Sequence, residues 1–125
     1  MIIDLSSVLE KDDYITNYQA KSKIIMDNLK GYDNGYILII SINILNILEM
    51  DERFINNWRK NTDSFLNGDI FKAGDICGFE CYVDKFMNSD EILITYDKVK
   101  MRDNKIDYLL NNENLVEEKR VKIIS

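Results

Sequence analysis

Residue types that carry chemistry are thinly spread in this 125-residue chain, and one is missing: there is no histidine. Its absence removes the commonest general base, the usual partner of a nucleophilic serine or cysteine, and the commonest metal ligand. Cys77 and Cys81 are the only cysteines. Two thiols without histidine cannot supply the four ligands of a structural zinc site within one chain. On a single strand, residues four apart face the same way about 13 Å from each other, too far for a disulfide. Both are therefore expected as free thiols acting as small buried hydrophobes.

Among the carboxylates, Asp75, Glu80, Asp84, Asp90 and Asp97 cluster in sequence, with Lys85 and Lys98 following Asp84 and Asp97. A restriction-type nuclease needs an acid on one strand, then an acid and a lysine one residue apart on the next. Asp84-Lys85 has no intervening residue, and Lys100 stands too far from Asp97. These acids are expected at turns and strand edges. Gly74-Asp75-Ile76-Cys77-Gly78 lacks the Lys-Ser/Thr of a phosphate loop, and no Gly-x-Gly occurs, so Gly31, Gly35, Gly68, Gly74 and Gly78 are taken as turn glycines. Trp58, Tyr14, Tyr18 and Tyr32 are expected in core or interface packing rather than in base stacking. The residues point to no enzyme, no cofactor and no metal.

The positioning elements begin with Asp12 or Asp13, either of which can cap a helix starting near Tyr14. Tyr14, Tyr18, Ile25 and Leu29 recur at helical steps, Ile15 and Ile24 widen the stripe, and Gly31 suits the left-handed residue after the last turn. Asp33-Asn34-Gly35 signals a turn, and the apolar run Tyr36–Ile40 a strand buried on both faces. Ser41 can cap a short helix through Met50, with Ile44, Leu45, Ile47 and Leu48 inward. Asp51 offers a second cap, with Phe54, Ile55 and Trp58 continuing helical spacing to about Lys60. Asn61 to Gly78 is loop-like, with Ile70 and Phe71 as a possible short strand.

Phe79–Asp84 alternates, with Phe79, Cys81 and Val83 opposed to Glu80, Tyr82 and Asp84; in Glu91–Tyr96, Ile92, Ile94 and Tyr96 share a face. Met87-Asn88-Ser89-Asp90 is expected to join these two strands as a hairpin-like turn. Val99 and Met101, then Ile106, Tyr108 and Leu110, could form a hairpin around Asp103-Asn104, with Val121-Lys122-Ile123 as a final strand. The fold class expected is α+β: a small mixed sheet with an N-terminal helix and one or two further helices packed on it, in a single domain over residues 1–125. Ile37, Ile39, Leu45, Ile92 and Ile94 are its expected core.

A net charge of −6 weighs against a nucleic-acid partner. The best basic cluster, Lys119, Arg120 and Lys122, lies beside Glu117 and Glu118 and is expected as a solvated mixed face. Tyr36–Ile40 is closed by Ser41 and followed by Asn43 and Asn46, too short to span a bilayer. Met1-Ile2-Ile3-Asp4 does not resemble a signal peptide. The expectation is a reducing cytosol, with no membrane partner.

One stretch resembles a known family. Ala20-Lys21-Ser22-Lys23-Ile24 leads to Gly31-Tyr32-Asp33-Asn34-Gly35, and then to Tyr36-Ile37-Leu38-Ile39-Ile40-Ser41-Ile42-Asn43-Ile44-Leu45-Asn46-Ile47-Leu48. After a glycine-punctuated loop, Gly78-Phe79-Glu80-Cys81-Tyr82-Val83-Asp84 precedes Asp90-Glu91-Ile92-Leu93-Ile94-Thr95-Tyr96. This order is similar to the axial (A) domain region of tailed-phage major capsid proteins of the T-even myovirus type, over Ala20 to Tyr96. The expected proline-containing strand after Tyr96 is absent, and shell subunits of that kind are several times longer.

The resemblance implies a non-catalytic, phage-derived structural protein, a truncated or accessory virion component in host cytoplasm or virion. Its partners would be copies of itself or other virion subunits. The alternative is a small acidic phage or bacterial inhibitor or immunity protein that covers the basic site of an enzyme. Either role places the contact surface in Asn61–Asp75, where Phe65, Leu66, Ile70 and Phe71 bring apolar surface into a loop-like segment.

Overall fold

The structure, a computed structural model, describes residues 1–8, 12–32, 36–56, 70–97 and 115–124. Helix α1 spans Tyr14–Asn28. Asp13 caps it: its carboxylate accepts from the Ile15 amide at 3.0 Å and from the Thr16 hydroxyl at 2.8 Å, satisfying donors that the first turn leaves open. Gly31 follows the helix at φ +102°, a conformation that side chains resist.

Strand β2, Ile37–Ile40, is buried along its whole length. Ser41 then starts α2, Ile42–Leu48: its oxygen accepts from the Ile44 amide at 3.2 Å, and its hydroxyl donates to the Ser89 carbonyl at 3.1 Å. One side chain thus starts the helix and ties it to the segment before β6 (Glu91–Asp97).

The other strands are β1 (Ile2–Asp4), β3 (Ile55–Asn56), β4 (Ile70–Ile76), β5 (Phe79–Asp84) and β7 (Leu115–Ile124). The seven strands among the described residues join one sheet in the order β1-β7-β6-β2-β5-β4-β3. β1 pairs parallel with β7 and β2 with β5, while every other neighbouring pair is antiparallel. The architecture is therefore mixed α/β and dominated by its sheet.

Strand pleat sends alternate residues to opposite faces. Leu38 aligns with Cys81 and Ile94, and Ile40 with Val83 and Ile92. These residues form the main core with Ile25, Met26 and Leu29 of α1 and Ile44, Leu45 and Leu48 of α2. Ile37 and Ile39 point the other way and form a second buried cluster with Tyr82, against which Met87 and Leu93 pack. All five expected core residues, Ile37, Ile39, Leu45, Ile92 and Ile94, are buried.

Four expectations are corrected. Asp51 does not start a helix through Ile55, because Ile55–Asn56 is strand β3, paired with Asp75 and Gly74. Trp58 and Lys60 lie outside the described residues, as do Asp33-Asn34-Gly35 and the proposed hairpin from Val99 to Leu110. The loop-like segment is a strand from Ile70 onward, where pairing with β5 outweighs its glycine and aspartate content.

Gly74 is a strand residue rather than a turn residue. A Cβ there would overlap the Ile55 carbonyl oxygen and come within 2.7 Å of the Phe54 ring. β5 and β6 do not form a hairpin, since β2 lies between them and pairs with both. The turn around Met87–Asp90 instead carries the chain past the end of β2.

Candidate functional site

Cys77 and Cys81 do not share a strand. Cys77 is exposed in the β4–β5 turn at φ +50°, whereas Cys81 is buried in β5. Both are free thiols. Cys81 is the buried hydrophobe expected, and burial pushes its thiol well above the usual range. Cys77 is not, because a turn that needs a left-handed residue leaves its side chain in solvent.

The charged groups settle into separate pairs on different parts of the fold. On α1, the buried Ser22 donates its hydroxyl to Asp51, which also takes a two-pronged contact from Arg53. Hydrogen bonds from Arg53 lower the Asp51 carboxyl to about 2, although burial opposes the shift. On the sheet face away from the helices, Lys72 lies 3.4 Å from Asp75 and 3.6 Å from Glu80. Tyr82, on that same face, is 1% exposed, and burial pushes its phenol far above the ordinary value. It therefore stays neutral.

Arg120 donates to Glu91 at 2.8 Å, and Lys122 lies 3.7 Å from Asp90. Arg120 and then Asn88 hold the Glu91 carboxyl below its usual value. So two of the three cations in the Lys119, Arg120 and Lys122 cluster face acids across the strand. No group of three or more His, Cys, Asp or Glu side chains converges among the described residues. In the same residues, no helix is long and apolar enough to cross a membrane.

The expected contact residues fare differently. Phe71 is 2% exposed and belongs to the main core, opposite Val83 of β5. It cannot serve as a surface contact, because its strand position turns the ring toward the helices. Ile70 begins β4, and its side chain is outside the described set, as are Phe65 and Leu66 entirely.

An exposed apolar surface lies elsewhere, at the turn after β5. Phe86 is 78% exposed, more than any other described large hydrophobe. Its amide donates to Asp84 Oδ1 at 2.9 Å, and the Met87 amide donates to the Asp84 carbonyl at 3.2 Å. The ring is thus held out on a fixed backbone. Beside it lies an open groove of about 310 Å³ with Ile39, Met87 and Leu93 as its apolar lining and Asp84, Glu91 and Arg120 among its polar residues.

Sequence reasoning passed over Phe86. A signal was present, since an aromatic residue just past the end of an alternating strand has no place on either face of the sheet. No family model, curated protein or solved structure matches this chain.

Proposed function

We propose that this protein is non-catalytic and works by protein–protein contact, as a structural component of an assembly of the virion type. The observation that carries the reading is Phe86, a phenyl ring exposed on a hydrogen-bonded turn beside a groove where Ile39, Met87 and Leu93 alternate with charged residues. Contiguous exposed apolar surface marks contact sites, and Phe86 stands beside the half-buried Met87 and Leu93. The strongly shifted groups support the same reading. Asp51 and Arg53 satisfy each other, and Cys81 and Tyr82 are sealed in neutral form. None is poised to exchange a proton near neutral pH.

The virion type is suggested by the capsid resemblance over Ala20–Tyr96, against which it counts that β2 lies between β5 and β6. Native mass spectrometry and electron microscopy of the pure protein test this reading. Ring-like or shell-associated oligomers are expected. Hydrolase activity, or stoichiometric zinc or manganese in purified protein, would overturn the non-catalytic assignment.

The second reading, an acidic inhibitor or immunity protein, is favoured by the net charge of −6. Such a charge speeds encounter with a basic enzyme surface and makes the on-rate fall with salt. Its expected signature is a stable monomer that forms a one-to-one complex with a partner enzyme.

A further inference from the structure

We infer that β1 is the edge at which two copies of this chain join, β1 of one running antiparallel to β1 of the other across a two-fold axis. The inference rests on the contact reading above but not on the Phe86 surface. Among the described residues β1 is one end of the sheet, with β7 as its neighbour. The Met1 carbonyl accepts from the Lys122 amide, and the Leu5 amide donates to the Ile124 carbonyl, so alternate residues Met1, Ile3 and Leu5 face β7. Strand geometry then turns the amides and carbonyls of Ile2 and Asp4 outward, where no described strand meets them. Both side chains are exposed, Ile2 at 63%, while Ile3 between them is buried in the core.

The register follows from those two residues. Setting Ile2 of each copy opposite Asp4 of the other uses all of their outward hydrogen-bonding groups. Setting Ile2 against Ile2 uses half of them, and setting Asp4 against Asp4 brings like charges face to face. Asp4 also decides the partner. An exposed acid on a three-residue edge strand keeps foreign strands from adding to a sheet. A second copy removes that obstacle, because β7 aligns Lys122 with Ile2 on the same face. In the joined sheet Lys122 stands two strands from Asp4 of the other copy, roughly 10 Å between Cα atoms. A lysine stem laid across Ile2 covers that span. Lys122 is 60% exposed and 3.7 Å from Asp90, a surface pair that costs little to exchange. The new contact forms twice, and it offsets the general repulsion between copies that carry −6 each.

The test is sedimentation equilibrium with amide hydrogen exchange on the untagged full chain, from about 10 μM to about 1 mM, the range suited to a small interface. Wild type should show a reversible monomer–dimer equilibrium, and exchange at the Ile2 and Asp4 amides should slow severalfold as the dimer fills. Ile2→Pro removes an outward amide, leaves the bonds to β7, and should weaken dimerisation by about tenfold or more. Asp4→Lys should weaken it by a similar factor, because two cations then meet. Adding Lys122→Asp to Asp4→Lys should restore affinity to within about threefold of wild type. Circular dichroism melts of each variant, at a concentration where wild type is monomeric, should match wild type.

A wild-type monomer throughout the range would overturn the inference. So would a dimer whose Ile2 and Asp4 amides exchange as fast as in the monomer, a readout that needs no variant to fold. A dimer left at full strength by Ile2→Pro or Asp4→Lys counts against it equally, as does a charge-exchanged pair that fails to recover affinity. A monomer that binds a different protein would overturn the inference while leaving the contact reading intact. Enzymatic activity would instead remove the contact reading.

Discussion

Ser22 on α1 donates a hydrogen bond of 2.9 Å to Asp51, which lies 29 residues further along the chain. This bond fastens the first helix to the connection between α2 and β3. Arg53 completes the arrangement through its backbone amide and both prongs of its guanidinium, at 2.7–2.9 Å. Ser22→Ala should cost about 1–3 kcal/mol, because the lost donor was buried and its acceptor stays partly enclosed. Urea unfolding would measure it, with an unchanged slope expected.

The same carboxylate predicts an acid limb to the stability curve. Its folded value, about 2, lies below the ordinary 3.8. A depressed carboxyl contributes stability above its unfolded value, and that contribution disappears as pH falls through the folded value. The Asp51 contribution should be whole above about pH 4 and lost toward about pH 2, amounting to about 1–2 kcal/mol once exposure of the Arg53 side chain is allowed for. Melting temperature against pH should therefore fall less steeply in this window for Asp51→Asn than for wild type, from a lower starting point.

Gly74→Ala and Gly31→Ala separate crowding from backbone strain. At Gly74 the added methyl meets the Ile55 carbonyl and the Phe54 ring, so β3 must move off β4. Overpacking of this kind costs about 1–3 kcal/mol, and hydrogen exchange at the β3–β4 pairing should quicken. At Gly31 nothing lies within 4 Å, and only the positive φ resists. The cost there should be about 1–2 kcal/mol with exchange in the sheet unaltered relative to global stability.

Phe71→Ala should lower stability by about 3–5 kcal/mol without touching self-association, since the ring is a core residue. Ile39→Asp should prevent cooperative folding altogether. An unpaired carboxylate in the second cluster costs several kcal/mol against a total of about 5–15. A soluble Ile39→Asp protein with an unchanged melting temperature would show that this face is not buried as described.

Thiol labelling gives a direct check of the β4–β5 turn. One equivalent of reagent should react with the native protein at Cys77 and a second only after denaturation, when Cys81 is released from β5. Two fast equivalents in the native protein would place Cys81 at the surface.

The sequence by itself determined the elements whose causes are local. Asp13 and Ser41 cap helices within three residues, Gly31 ends one, and the alternation of Phe79–Asp84 marks a strand, so α1, α2, β2, β5 and β6 were all legible. Tertiary structure alone decided what depends on distant partners. Ile2–Asp4 becomes a strand only because β7 runs beside it, Ile55–Asn56 only because β4 does, and β2 separates the two strands expected as a hairpin. The candidate site follows the same division. Phe71 and Phe86 are equally apolar, but one lies opposite Val83 on the helix-facing side of the sheet and the other falls in a turn beyond the last strand position. Hydrophobicity belongs to the residue, whereas exposure is set by the face and the neighbours that the whole fold assigns to it.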